Sequence, residues 1–243
     1  MFPVLLAFAA SVLAGAVAAV AGFGIGSLLT PLLAAELGTK LAVAAVSVPH
    51  FAGTALRLWL LRAHVDRRVL WGFGLTSGAG GLTGALLRSF VGGQALSVVF
   101  AVLLMFAGVS GLTGLSERMR FSGWLAWIAG AASGLLGGLV GNQGGIRSAA
   151  MLGFDVPKTA FVATATAVAL MVDVARLPVY VATQGKEITH AWPVILNATV
   201  GVLIGTVVGG WTLRRVPDVL FRRVVSAIVF VLGVAMLRGG SRP

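Results

Sequence analysis

Four residues of one apolar run carry most of its chemistry. Ser47, His50, Thr54 and Arg57 are spaced three, four and three apart. A helix over residues 41–61 puts all four on one face. The pattern recurs at 158–183, where Thr166, Ala169, Asp173 and Arg176 take the equivalent places. A guanidinium beside hydroxyl donors can hold an anion, and ionisable residues inside apolar segments mark a substrate or ion path. Asp173 and His50 are the candidates for proton coupling. The residues alone leave other roles open. The arginines could snorkel to headgroups. Asp173 could simply neutralise Arg176, three residues on. His50 could be a hydrogen-bonded interior group, and Ser47 and Thr166 could bond back to their own helices.

Two glycine-rich stretches stand beside these stripes, "AGFGIGSLLTP" (21–31) and "VGNQGGIRSAA" (140–150). Glycines let the chain leave helical geometry. A helix restarting after such a break points its positive end, with free N–H groups, back at it. Arg147 near that end requires a negative partner, either an anion or Asp173. The expected substrate-binding set is therefore Arg57, Arg147 and Arg176, with Thr54, Ser27, Asn142 and Gln143 as donors. Gly24, Gly26, Gly144 and Gly145 supply exposed backbone. The alternative is close helix packing, the role expected of Gly80, Gly84, Gly201 and Gly205.

The elements that must position these groups are membrane helices. The chain has 243 residues, 58% hydrophobic and only 10% charged, against about 25% charged in a soluble domain. Stretches near 3–21, 41–61, 69–90, 95–113, 123–140, 158–183, 190–212 and 219–237 are each long and apolar enough to cross a bilayer core of about 30 Å. Backbone groups in lipid must bond internally, and the runs lack barrel alternation, so they are helices. The net charge of +11 lies at segment ends rather than on a basic stripe, which excludes nucleic acid as a partner. No cysteine is present, so disulfides and thiolate metal sites are excluded. The three histidines form no metal-ligand motif such as HExxH, and no cofactor or metal is expected.

The chain repeats itself. An offset of 119 carries Gly15, Gly22, Gly26 and Arg57 onto Gly134, Gly141, Gly145 and Arg176; 121 carries Trp71, Gly80 and Gly84 onto Trp192, Gly201 and Gly205; 125 carries Gly108 onto Gly233. The expected halves are residues 1–116 and 117–243. Loop "LRAHVDRR" (61–68) is basic and its counterpart "QGKEITH" (184–190) is neutral, whereas "RSFVGGQ" (88–94) is poor in charge and "RRVPDVLFRR" (214–223) is rich. Positive charge marks the cytoplasmic side, so equivalent loops face opposite sides and the repeats are inverted. Each half then needs an odd number of crossings. Residues 22–37 and 141–155 are short for a full span, and each is expected to form, with the segment before it, a Gly-broken hairpin or re-entrant element. The predicted fold is an all-α polytopic membrane protein with eight long hydrophobic helices, two short Gly-broken re-entrant segments and inverted-topology repeats.

"GFGIGSLLTPLLAAELG" and "GNQGGIRSAAMLGFDVPKTAFVATATAV" resemble the duplicated motif of the 4-toluene sulfonate uptake permease family, also called the sulfite exporter TauE/SafE family. The resemblance extends over roughly residues 10–237. In the second copy Asn142 and Gln143 interrupt the glycines, and Ala150 stands where Pro31 stands in the first. The resemblance implies a secondary transporter of small sulfur-containing anions, such as sulfite or organosulfonates, in the bacterial inner membrane. It is expected to be no enzyme; its partners are the anion, the bilayer and, as an open question, a second copy in a homodimer. A membrane enzyme and a structural or assembly subunit are the competing classes.

Overall fold

The computed structural model describes residues 2–22, 24–115, 123–141, 144, 147, 151, 154, 156–212 and 218–239. Among them all regular structure is helical. The main described helices are α1 (Phe2–Ala21), α2 (Ile25–Leu61), α3 (Leu75–Leu87), α4 (Gly93–Thr113), α5 (Trp124–Val140), α6 (Lys158–His190), α7 (Trp192–Thr212) and α8 (Asp218–Gly239). One helical turn at Arg67–Val69 and a π-helical turn at Leu70–Gly74 lead into α3. Asp66 caps that entry by accepting from the Val69 N–H at 3.1 Å.

Four described helices, Ile25–His64, Gly93–Thr113, Thr159–His190 and Trp192–Gly209, are long and apolar enough to cross a membrane, and Leu5–Ala21 and Trp124–Val140 are shorter apolar helices. One boundary agrees with expectation and one differs. The stretch from Ile25 is set off from the rest of α2 by a kink at Gly38 (φ 73, ψ 153), where two helices join before α2 runs on to Leu61. The expected loop 184–190 is helical, continuing α6 past a break at Gln184 (φ −136, ψ 24). The second expected re-entrant segment, 141–155, lies largely outside the described residues.

The helices pack in pairs across the two halves. α1 lies on α7, α5 on α3, α4 on α8, and α2 on α6. The contacts come in duplicate. Gly15 sits against Val202 O, and Gly134 against Ser77 O. Gly205 faces Val12 O as Gly80 faces Ala131 O, and Gly209 faces Ala16 as Gly84 faces Leu135. In the α4–α8 pair Gly108 sits on Phe230 while Gly233 sits on Met105. These matches hold with an offset of 119 for α1 and α5 but 125 for α3 and α7. The sequence offset of 121 for the latter is therefore wrong by one helical turn. Order along the contacts makes α1 parallel to α7 and α5 parallel to α3, while α4 and α8 are antiparallel. The glycines allow backbones to touch, so small residues set these interfaces.

A methyl group tests that packing. At Gly134 it would overlap the Ser77 carbonyl, whereas at Gly78 it meets nothing within 4 Å. Gly134→Ala is expected to destabilise by about 1–3 kcal/mol, and Gly78→Ala to be neutral or slightly stabilising through helix propensity. Thermal unfolding of the two variants in detergent checks this; equal Tm values would contradict the close contact.

Candidate functional site

The site is built around two helix breaks. Gly22 (φ 77) and Gly141 (φ 76) both take the left-handed conformation that side chains disfavour. Each closes its helix by donating to the carbonyl four residues back: Gly22 to Ala18 O and Gly141 to Gly137 O, both at 3.0 Å. The end of a helix leaves carbonyls without N–H partners and a partial negative charge. Two arginines meet those ends. Arg57 Nη1 donates to Ala18 O at 2.7 Å and Nη2 to Gly22 O at 3.4 Å. Arg176 Nη1 donates to Gly137 O at 2.7 Å, the residue equivalent to Ala18. Both arginines are buried, 3% and 2% exposed, so neither snorkels to a headgroup.

The breaks meet each other. A methyl group on Gly26 would stand 2.5 Å from Gly141 O and 4.0 Å from His50 Cδ2. Gly24 (φ 133) precedes α2 with no side-chain cap, so the first N–H groups of α2 open at the same place.

Asp173 ties the two halves together. Its Oδ1 accepts from Arg176 Nε at 2.9 Å and lies 2.7 Å from Arg176 Nη2. Its Oδ2 lies 2.7 Å from His50 Nδ1 on α2. Arg57 Nε donates to Thr166 Oγ1 at 2.9 Å, while Thr166 donates back to Val162 O and Ser47 to Ala44 O. Hence Asp173 does neutralise Arg176, and Ser47 is spent on its own helix. All three nitrogens of Arg57 donate to neutral acceptors. Arg147 differs: it is 2% exposed, and its Nε and Nη1 have no hydrogen-bond partner. Thr54 is fully buried with its hydroxyl unpartnered. Among the described residues, Arg57, Arg147 and Arg176 are buried within electrostatic reach of Asp173, the one buried carboxylate. Before His50 is counted, that leaves an excess of two positive charges. Burying unpaired charge is costly, and an anion relieves it.

Ser27 and Gly144 are buried. Asn142, Gln143 and Gly145 lie outside the described residues. A cavity of about 1120 Å³ opens elsewhere, lined by Pro31, Gly38, Lys40, Gln94, Gln184 and Glu187 among others. Ser27 and Thr54 do not line it. No described group of His, Asp or Glu is placed to hold a metal.

Sequence reasoning missed two residues. Arg88, expected as a loop charge, is 2% exposed. Its Nη2 donates to Lys40 O and its guanidinium carbon lies 4.4 Å from the centre of the Tyr180 ring. Tyr180, the one tyrosine of the chain, donates its hydroxyl to Gly138 O. A lone tyrosine in an apolar helix needs a partner for its hydroxyl, and that was the available signal.

No curated protein and no solved structure matches the chain. The family model of the sulfite exporter TauE/SafE proteins matches residues 7–236, nearly the whole length. With its apolar helices and buried cationic centre, the chain belongs to the sulfite exporter TauE/SafE family of membrane transporters.

Proposed function

We propose that this protein is a secondary transporter that carries a small sulfur-containing anion, sulfite or an organosulfonate, across the bacterial inner membrane. The carrying observation is the buried cluster of Arg57, Arg147 and Arg176 against one carboxylate, with Arg147 donors left open. An anion entering a low-dielectric site loses its water and must find charge and donors there. Arg147, the first N–H groups of α2 and the Thr54 hydroxyl supply them. Arg57 and Arg176 hold the two broken helix ends in place and add positive potential.

Support for an inverted repeat comes from the duplicated contacts and from the antiparallel α4–α8 pair. Equivalent helices that meet antiparallel fit an axis lying in the membrane plane; an axis along the normal would make them parallel. With the basic 61–68 segment inside, the cavity at Gly38 and Gln184 faces outward and is the entry vestibule. His50 and Asp173 form the proton-coupling pair.

Proteoliposomes carrying the purified protein test this reading. Radiolabelled sulfite or an organosulfonate should accumulate saturably, with each competing against the other. Flux no greater than in empty liposomes, with the protein correctly inserted, would contradict it.

A further inference from the structure

The vestibule and the buried charges are separated by a closed layer. Leu37 and Leu41 line the vestibule and pack on the cluster that contains Val43, Ala44, Ala45 and Tyr180. On the far side, Val43 lies against Gly141. From Leu41 to His50 along α2 is about 13 Å, and from Gln184 back to Arg176 along α6 about 12 Å.

Arg88 and Tyr180 sit in that layer, 2% and 1% exposed. A cation stacked on an aromatic face is held electrostatically, most strongly where water is excluded. One chain of contacts runs from the vestibule wall at Lys40 O, through Arg88, to the Tyr180 ring. It continues to Gly138 O and to Arg176, whose guanidinium carbon is 5.8 Å from the same ring. Both backbone irregularities adjoin it. Gly38 is two residues from Lys40, and Gln184 is one turn from Tyr180. Leu61 holds the place of Tyr180 in the first half, so the stack exists on one side only. No described carboxylate is paired with Arg88, and its Nε is buried without a partner.

We propose that the Arg88–Tyr180 stack is the gate between the vestibule and the arginine site. The Lys40 carbonyl latches it, and rotation at Gly38 and Gln184 opens it. The proposal rests on the transport reading. An anion in the vestibule offers Arg88 a stronger acceptor than the Lys40 carbonyl and a partner for its open Nε, so the cargo itself releases the latch.

The chain has no cysteine, so single reporters can be labelled cleanly with a membrane-impermeant methanethiosulfonate. Ser47→Cys places one beyond the layer, at a residue 1% exposed. Gln94→Cys places another in the open vestibule. Labelling at Ser47→Cys should be slow in the otherwise unchanged chain. It should be about tenfold faster or more with Arg88→Gln or Tyr180→Ala, which remove the desolvated cation–ring contact. Tyr180→Phe keeps the ring, loses only the Gly138 bond and should give a smaller rise. Labelling at Gln94→Cys should stay constant in every background. An unchanged rate at Ser47→Cys overturns the gate, and so does equal acceleration at both reporters, which marks general loosening. Because no substrate is needed, the gate can stand even where sulfite flux is absent.

Discussion

Arg147→Gln is expected to cut anion uptake by roughly 30-fold or more at sub-saturating substrate. Removing one charged partner of a buried, hydrogen-bonded pair costs about 2–5 kcal/mol, and each 1.4 kcal/mol is about tenfold. The protein should still insert and unfold near its normal Tm, because no hydrogen bond of Arg147 Nε or Nη1 holds the fold together. Arg147→Lys keeps the charge but loses the planar fork suited to two oxyanion oxygens, so it should recover only part of the rate. Arg57→Gln makes the contrast. Its donors hold Ala18 O, Gly22 O and Thr166 Oγ1, so its loss should uncap α1 and lower Tm together with transport. Uptake assays normalised to inserted protein, run beside thermal unfolding, separate the two. Wild-type uptake in Arg147→Gln would remove the arginine cluster from the pathway.

Asp173→Asn should have the second largest effect. One carboxylate neutralises Arg176 and binds His50, and breaking a buried ion pair by removing one partner costs about 3–5 kcal/mol. The variant should show a clearly lowered Tm. Transport should no longer respond to an imposed pH gradient, while exchange of one anion for another continues. If instead the pH response persists and anion binding tightens, Asp173 serves only to neutralise Arg176, and the coupling role fails.

The two breaks were legible in the sequence because repetition singled out Gly22 and Gly141 from a glycine-rich background. The polar stripes were legible for the same reason, and both arginines do turn inward. Their partners were not legible. Nothing in the spacing of Arg57 says that it reaches the carbonyls of Ala18 and Gly22, because backbone acceptors leave no residue signature. The helix register of α3 and α7 was misread by matching Trp71, Gly80 and Gly84 to Trp192, Gly201 and Gly205. Both tryptophans are exposed, 60% and 49%, and interfacial tryptophans follow the membrane boundary rather than helix packing. The glycines that touch partner backbones carry the true register. Arg88 was misplaced because its burial depends on Tyr180, far along the chain, and a charge near a segment end reads as a loop residue until that neighbour is in place.

The crossed pairing of α1 with α7 and of α5 with α3 also sets the order in which the protein can be made. The glycine-faced side of α1 finds its mate only when α7 has left the ribosome, roughly 190 residues later, or about 10–40 s at 5–20 residues per second. Throughout that interval the contact surface of Gly15 and Ala16 faces lipid or the insertion machinery. α3 and α5, much nearer in sequence, can dock first. Nascent chains stalled just before Trp192 should therefore carry a settled α3–α5 pair and an α1 still open to crosslinking by lipid-soluble probes, with only the α4–α8 pair left to close after α1 has docked.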